Sequence, residues 1–503
     1  MDVYIILYSN KKCNKNLLGR LNMKYRYVCL LLALLTVGSQ FAGCSGEEPA
    51  ETENNTVFAE TAAETEDDGF IHDDLPEKDF LGADMQILTT TWYTATKYIY
   101  AAEENGEVIN DALFAQRAEV SERFNVEIGL TAEEDLGAVA SRIHNLTMAG
   151  DDTYDLAYNH DLMTIGNALK GDFYNLRAVD IINFDKPWWN GSTEVFTIQG
   201  KLPCTANPLA LSGIYMNYVL TVNKDLAANL QIEIPYETVR QGKWYIDELI
   251  SLAELATIDL DGNGILDYDD QWGLLTGSYG QMGMQSDMEG TVLDKDDAGN
   301  LIFVDTLEHM VAILEKTDRL MEYTVDDYGP ANEFGVELFI AGKGLFMFAE
   351  NRNLYETVRD AEIAYGVLPF PKFNENQKEY RSSGCDIYWG IPLPAAGNKE
   401  LIGTCVEAMS CYNYNYVVPK VWDTVLGGKL ANSPDDEDMF KIIRDVQYVD
   451  LGYAFSGENS KLSEMIFLIQ KTDAGSVTSF IESRKTAVQS KLEEINRVYA
   501  EME

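Results

Sequence analysis

The chain has 503 residues, with 82 acidic side chains against 38 basic ones and a formal charge of −44. Such a surface repels nucleic acid and anionic lipid headgroups, which excludes DNA or RNA binding and electrostatic docking on a membrane. With 46% apolar and 11% aromatic residues it has the material for two or three real cores.

Lys24 and Arg26 introduce an apolar run from Tyr27 to Gly43, rich in leucine (Leu30, Leu31, Leu32, Leu34, Leu35), that stops at Cys44. It is too short and too interrupted to span a bilayer and reads as a secretory signal peptide over residues 1–43. Phe41-Ala42-Gly43-Cys44 resembles the bacterial lipobox, although Phe41 stands where leucine is usual. That resemblance implies cleavage before Cys44 and lipidation of its sulfur, an ordinary secretory signal being the alternative. Residues 1–22 precede the basic segment without evident purpose, so Met23 is the expected start. Cleavage removes six basic side chains and one acidic one and takes the formal charge from −44 to −49. Residues 44–79 are rich in Glu, Asp, Thr and Ala and read as an acidic, self-repelling disordered linker. Stable anchoring needs about two acyl chains, which a diacylated cysteine provides.

Beyond the linker, Met85–Thr90 reads as a strand, and Ile109, Leu113, Val120 and Phe124 share a helical face. Asn125–Leu130 is a second strand, Leu136–Met148 a second helix, and Tyr154–Tyr158 a third strand after the turn at Ala149–Asp152. This β-α-β-α-β order predicts a parallel sheet with ligands beyond the carboxyl ends of its strands. The loops there hold Trp92, Tyr93, Asn159 and His160. Toward the C-terminus, Val477 to the end, with Ile481, Val488, Leu492 and Ile495 on one face, reads as a packing helix expected on the second of two lobes.

Several segments, taken in order, resemble bacterial extracellular solute-binding proteins of the sugar-binding type, family 1. They are Gly106–Ala112 leading to Arg123–Val126, Ala149–Leu156, Val222–Leu226, Gly242–Leu249, Phe339–Phe346, Tyr365–Pro371 and Gly390–Asn398. The resemblance implies an α/β, two-lobed periplasmic-binding-protein-like fold (type II), each lobe a sheet flanked by helices, with the ligand in the interlobe cleft. Lobe 1 is expected at 80–212 plus 391–434 and lobe 2 at 213–388 plus 435–503. The function it implies is delivery of a sugar or oligosaccharide to an ABC importer, by a monomer that is lipid-anchored at the extracellular face of the cytoplasmic membrane and partners the permease subunits. A peptide or another polar solute is the alternative ligand.

Carbohydrate recognition needs flat apolar faces for pyranose C–H groups and planar polar groups for hydroxyls. Trp92, Tyr93, Asn159, His160 and Tyr215 are the candidates in the first half. Glu350, Asn351, Arg352, Asp386 and Trp389 are those in the second. Arg352 keeps an acidic sugar open. Trp188 and Trp189 are expected to pack, and Trp244 and Trp272 to lie in the core.

Asp259–Asp270 fits the twelve-residue calcium loop. Side-chain oxygens fall at positions one, three, five and nine (Asp259, Asp261, Asn263, Asp267), the Ile265 carbonyl at seven, Gly264 at the sharp turn, and Asp270 at twelve. Asp270 is one methylene shorter than the usual glutamate. A structural Ca2+ is expected, and a metal-free acidic turn is the alternative. The cysteines at 204, 385, 405 and 411 allow three pairings or none. No His-Glu-x-x-His, Gly-x-Ser-x-Gly or phosphate loop occurs, so no enzyme is expected. A surface glycoside hydrolase stays as the rival, since two nearby carboxylates are unavoidable in so acidic a chain.

Overall fold

A computed structural model describes residues 69–189, 191–304, 306–325, 335–384, 387–458, 462 and 474–502. The signal segment, residues 44–68, Cys385 and Asp386 lie outside the described residues, as does the side chain of Tyr93. The end of the expected linker, 69–79, is instead held against the fold, with Asp73 paired to Arg123 at 2.6 Å and the His72 carbonyl accepting from Lys186. Among the described residues no helix is long and apolar enough to cross a membrane.

The strands are β1 (Ala83–Thr90), β2 (Val126–Glu133), β3 (Leu156–His160), β4 (Tyr218–Asn223), β5 (Trp272–Thr276), β6 (Leu293–Lys295), β7 (Leu301–Phe303), β8 (Thr324–Val325), β9 (Gly344–Glu350), β10 (Tyr365–Leu368) and β11 (Ile387–Gly390). They form a four-stranded sheet in the order β11-β3-β1-β2, a five-stranded sheet in the order β10-β4-β9-β5-β8, and the ribbon β6-β7. In the first sheet β1 runs parallel to β2 and β3, as the alternation of strands and helices predicts, while β11 returns antiparallel beside β3. The helices Val108–Phe124 and Leu136–Ala149 fill the crossovers. Asn125 ends the first in the left-handed region, at φ 52°. Gly150 ends the second at φ 65°, where glycine has no Cβ to clash.

Each sheet has its own hydrophobic cluster. Met85, Leu88, Leu156 and Trp389 belong to the first. Leu220, Leu274, Phe346 and Phe348 belong to the second.

The chain crosses between the sheets differently from the expected boundaries. β11 begins four residues before the expected boundary at 391. The helix Lys399–Tyr412 buries Cys405, Val406 and Met409 in the first cluster, whereas its π-helical continuation Lys420–Leu430 buries Val421, Trp422 and Leu426 in the second. The helix Ala474–Glu501 places Val477, Ile481, Val488 and Leu492 in the first cluster, together with Leu301, Met310 and Leu314. It therefore packs at the junction and not on the second sheet alone.

Cys204, Cys405 and Cys411 are free and buried, so none of the three pairs with another. Burial, reinforced by the nearby Asp155 carboxylate, holds the Cys405 thiol up at about 12.

Candidate functional site

Three chain segments pass between the sheets side by side. Asn217 bridges Gly384 in antiparallel register, and Ser382 bridges Gln447 in parallel register. The ribbon is closed by backbone bonds from Tyr218 N–H to the Ser383 carbonyl (2.8 Å), from Ser382 N–H to Val446 (2.9 Å) and from Tyr448 N–H to Ser382 (3.0 Å). The Asn217 amide adds a bond to the Ser382 carbonyl at 2.5 Å. Close approach is obligatory: a Cβ on Gly384 would stand 2.3 Å from the Met216 carbonyl oxygen.

β1 runs parallel to β3 in the first sheet and β5 to β9 in the second, so the carboxyl ends of each pair lie along one edge of their sheet. There the two lobes touch. Lys97, in the 3-10 turn Trp92–Tyr98 after β1, pairs with Glu356 at the end of the short helix after β9. The Tyr98 hydroxyl donates to the same carboxylate at 3.1 Å. The Tyr98 ring stacks on Tyr215 with centroids 4.7 Å apart.

Against the ribbon lies a pocket lined by Tyr218, Gln285, Ser286, Ser383, Asp450 and Tyr453, with Gly283, Gly290 and Gly384 opening its walls. The helix Ser278–Asp287 approaches so closely that a Cβ on Gly283 would lie 2.8 Å from the Tyr218 ring. Tyr218 stacks on Phe348 at 5.2 Å, which fixes one aromatic wall. The polar wall is built from buried groups. Asp450 accepts from Tyr453 N–H (2.9 Å) and from the Ser286 hydroxyl (3.0 Å), while the buried Gln285 amide nitrogen has no partner. Desolvation raises the pKa of Asp450.

Of the residues the sequence singles out, Trp92 and His160 come together at the first-lobe rim, edge to face at 4.6 Å, with Trp92 half-buried. The other described candidates are engaged inside the protein. The Asn159 amide donates to the Leu136 carbonyl and its oxygen accepts His160 N–H. The Asn351 amide donates to the Ile214 carbonyl. Tyr215 is buried between Tyr98 and Tyr355. Arg352 is paired with Glu350 at 3.0 Å and Glu356 at 3.6 Å. Trp389 is in the core, donating to Asn207 at 3.0 Å, so it offers no stacking face. Trp188 and Trp189 are likewise buried, both indoles donating to Glu407 at 3.2 and 2.8 Å. Sequence reading missed Tyr218, Gln285, Ser286, Asp450 and Tyr453. A weak local signal existed: Gly280 and Gly283 mark a helix that must approach a neighbour closely.

The acidic loop closes on the bridge Ile258–Gln271 directly before β5. Carboxylate oxygens of Asp259, Asp261 and Asp270 lie within 4.8 Å of one another. Asp270 is buried, its two oxygens held by Leu260 N–H (2.8 Å) and Asp267 N–H (2.9 Å). Asp259 accepts from Gly264 and Gly262 N–H, both at 2.7 Å, and these bonds hold its carboxyl below the usual range. Gly264 takes φ +80°, the left-handed turn its loop position requires. Three hard oxygen donors on a preformed turn fit a divalent cation.

No family model and no curated protein sequence matches the chain. Solved structures do. A sugar transporter from Rhizobium etli, in an open conformation, aligns over 84% of this chain and 100% of its own, at 12% identity and a TM-score of 0.53. The cyclic alpha-maltosyl-1,6-maltose binding protein from Arthrobacter globiformis aligns over 83% and 99%, at 12% identity and a TM-score of 0.52. The architecture is thus the two-domain periplasmic-binding-protein-like fold, with mixed sheets flanked by helices. The structures it resembles are binding and transport proteins rather than enzymes.

Proposed function

We propose that this chain is the substrate-binding component of an ABC importer, taking up a sugar or oligosaccharide between its lobes and presenting it to the permease. The observation that carries the reading is the two-lobed architecture shared with solved sugar-transport and sugar-binding structures, with Trp92 and His160 edge to face at the first-lobe rim. Aromatic faces suit pyranose C–H groups, and fixed donors and acceptors suit hydroxyls. Arg352 is neutralised by two carboxylates, which favours an uncharged carbohydrate over an acidic one. Ligand contacts to both lobes would stabilise the closed form, and transport energy would come from the partner ATPase. The signal segment and Cys44 support lipid anchoring outside the cell, a reading that stands on sequence.

A thermal-shift screen of neutral oligosaccharides, uronates and peptides tests the ligand class. Stabilisation by neutral sugars alone is expected, and none by any sugar would sink the proposal. Release of reducing ends from the same sugars would point to a glycoside hydrolase instead. Anchoring is tested by acyl labelling, expected to vanish in Cys44→Ala.

We also propose that the loop holds a structural Ca2+ through Asp259, Asp261, Asn263, the Ile265 carbonyl, Asp267 and Asp270. The ion would neutralise converging carboxylates and stiffen the entry to β5. Chelation is expected to lower the thermal midpoint, calcium to restore it, and Asp259→Ala to abolish the response. An unchanged midpoint would leave the loop an acidic turn.

A further inference from the structure

Two buried carboxylates sit where the crossing segments meet the second lobe. Asp287, at the end of the helix Ser278–Asp287, is 1% exposed, and Asp450, on the third crossing, is 8% exposed. Asp287 grips the second crossing, its Oδ1 accepting Ser383 N–H at 2.8 Å, while its Oδ2 is buried without a partner. The same helix reaches the third crossing through the Ser286 hydroxyl, which donates to Asp450. The helix therefore ties together two of the three strands on which any lobe rotation must turn.

The charges facing Asp287 are few. From the second crossing comes Arg381, whose Nη1 is buried and unpartnered, whose Nη2 reaches Glu289 at 3.5 Å, and whose guanidinium lies over the Tyr448 ring. From the third crossing come Asp450 and Tyr448. Asp294 on β6 acts on Tyr448. Burial, reinforced by the like charge of Asp450, raises the Asp287 pKa to about 8, against weaker opposition from Ser383 and Arg381.

We infer that this junction is a proton-linked clamp: with the second crossing docked against the second lobe, burial keeps Asp287 protonated, and ionisation favours the undocked, hydrated state, so hinge mobility rises with pH. An ionised Asp287 in place would keep one oxygen without a donor and stand beside a second carboxylate. Parting from Ser383 admits water to both. Opening and loss of the proton therefore favour each other.

The test is amide hydrogen exchange on the ligand-free protein, so its failure is separable from failure of the carbohydrate reading. Protection in 382–384 and 446–450, corrected for the intrinsic base-catalysed rate, is expected to fall between about pH 7 and pH 9, by up to about tenfold per pH unit for one linked proton. In Asp287→Asn the fall should disappear. Asp450→Asn, which removes the neighbouring like charge, should move it to lower pH, and it carries the test if the first variant does not fold. Equal wild-type protection across the range, a persistent fall in Asp287→Asn, or an unmoved profile in Asp450→Asn would each overturn the clamp.

Discussion

Gly384→Ala probes the crossing ribbon most directly. The added methyl carbon would lie 2.3 Å from the Met216 carbonyl oxygen and 2.9 Å from the Asn217 Cα. An ordinary carbon–oxygen contact is about 3.3 Å, so the two strands must part by about 1 Å. Both obstacles are backbone, so no side-chain rotation relieves them. Overpacking of this kind costs about 1–3 kcal/mol. Parting the strands also strains the bond from Tyr218 N–H to Ser383, worth about 1 kcal/mol. The expected loss is about 2–4 kcal/mol in urea unfolding, with a lower midpoint and an unchanged slope. Because Gly384 also lines the pocket, sugar affinity should drop with it. Gly397→Ala is the control, since nothing lies within 4 Å of its Cβ position, and it should stay within about 0.5 kcal/mol of wild type. A Gly384→Ala protein as stable as the control would refute the close-packed ribbon.

Other outcomes follow from the same geometry. Glu407, buried beneath Trp188 and Trp189, has its pKa pushed up to about 7 by desolvation. A raised carboxyl pKa means that the native state holds the proton longer than the unfolded chain, so this contribution is full below about pH 4 and lost as pH rises through 7. Glu407→Gln should flatten the stability profile between about pH 5 and 7 in urea titrations, and an unaltered slope would contradict that assignment. Trp92→Ala should weaken binding of the sugar that stabilises the protein most in the thermal-shift screen by tenfold or more in calorimetry, while costing about 1–3 kcal/mol of stability from lost packing. Unchanged affinity would move the platform elsewhere on the rim.

How much was legible in the chain varies with the range of the interaction. The three strands and two helices of the first lobe were readable because alternation and the 3.6-residue period are local properties, and Ile109, Leu113, Val120 and Phe124, named from periodicity, are buried. The acidic loop was readable for the same reason, its ligand spacing lying within twelve residues. Tyr215 and Trp389, expected at the cleft, are buried, and the sequence could not show it, because a ring beside polar residues reads the same whether it faces a cleft or a core. The C-terminal helix face was found, but not what it packs on.

The sequence by itself determined the order of strands and helices at the start of the first lobe, the motifs that resemble sugar-binding proteins, and the acidic loop with its turn. Tertiary structure alone decided the return of β11 beside β3, the splitting of one long helical run between two cores, and the pocket wall shared by residues 218, 285, 383 and 450. The physical reason is distance along the chain: a helix or strand is specified by neighbours a few residues away, whereas the cleft is set by segments that meet only after both lobes have buried their cores.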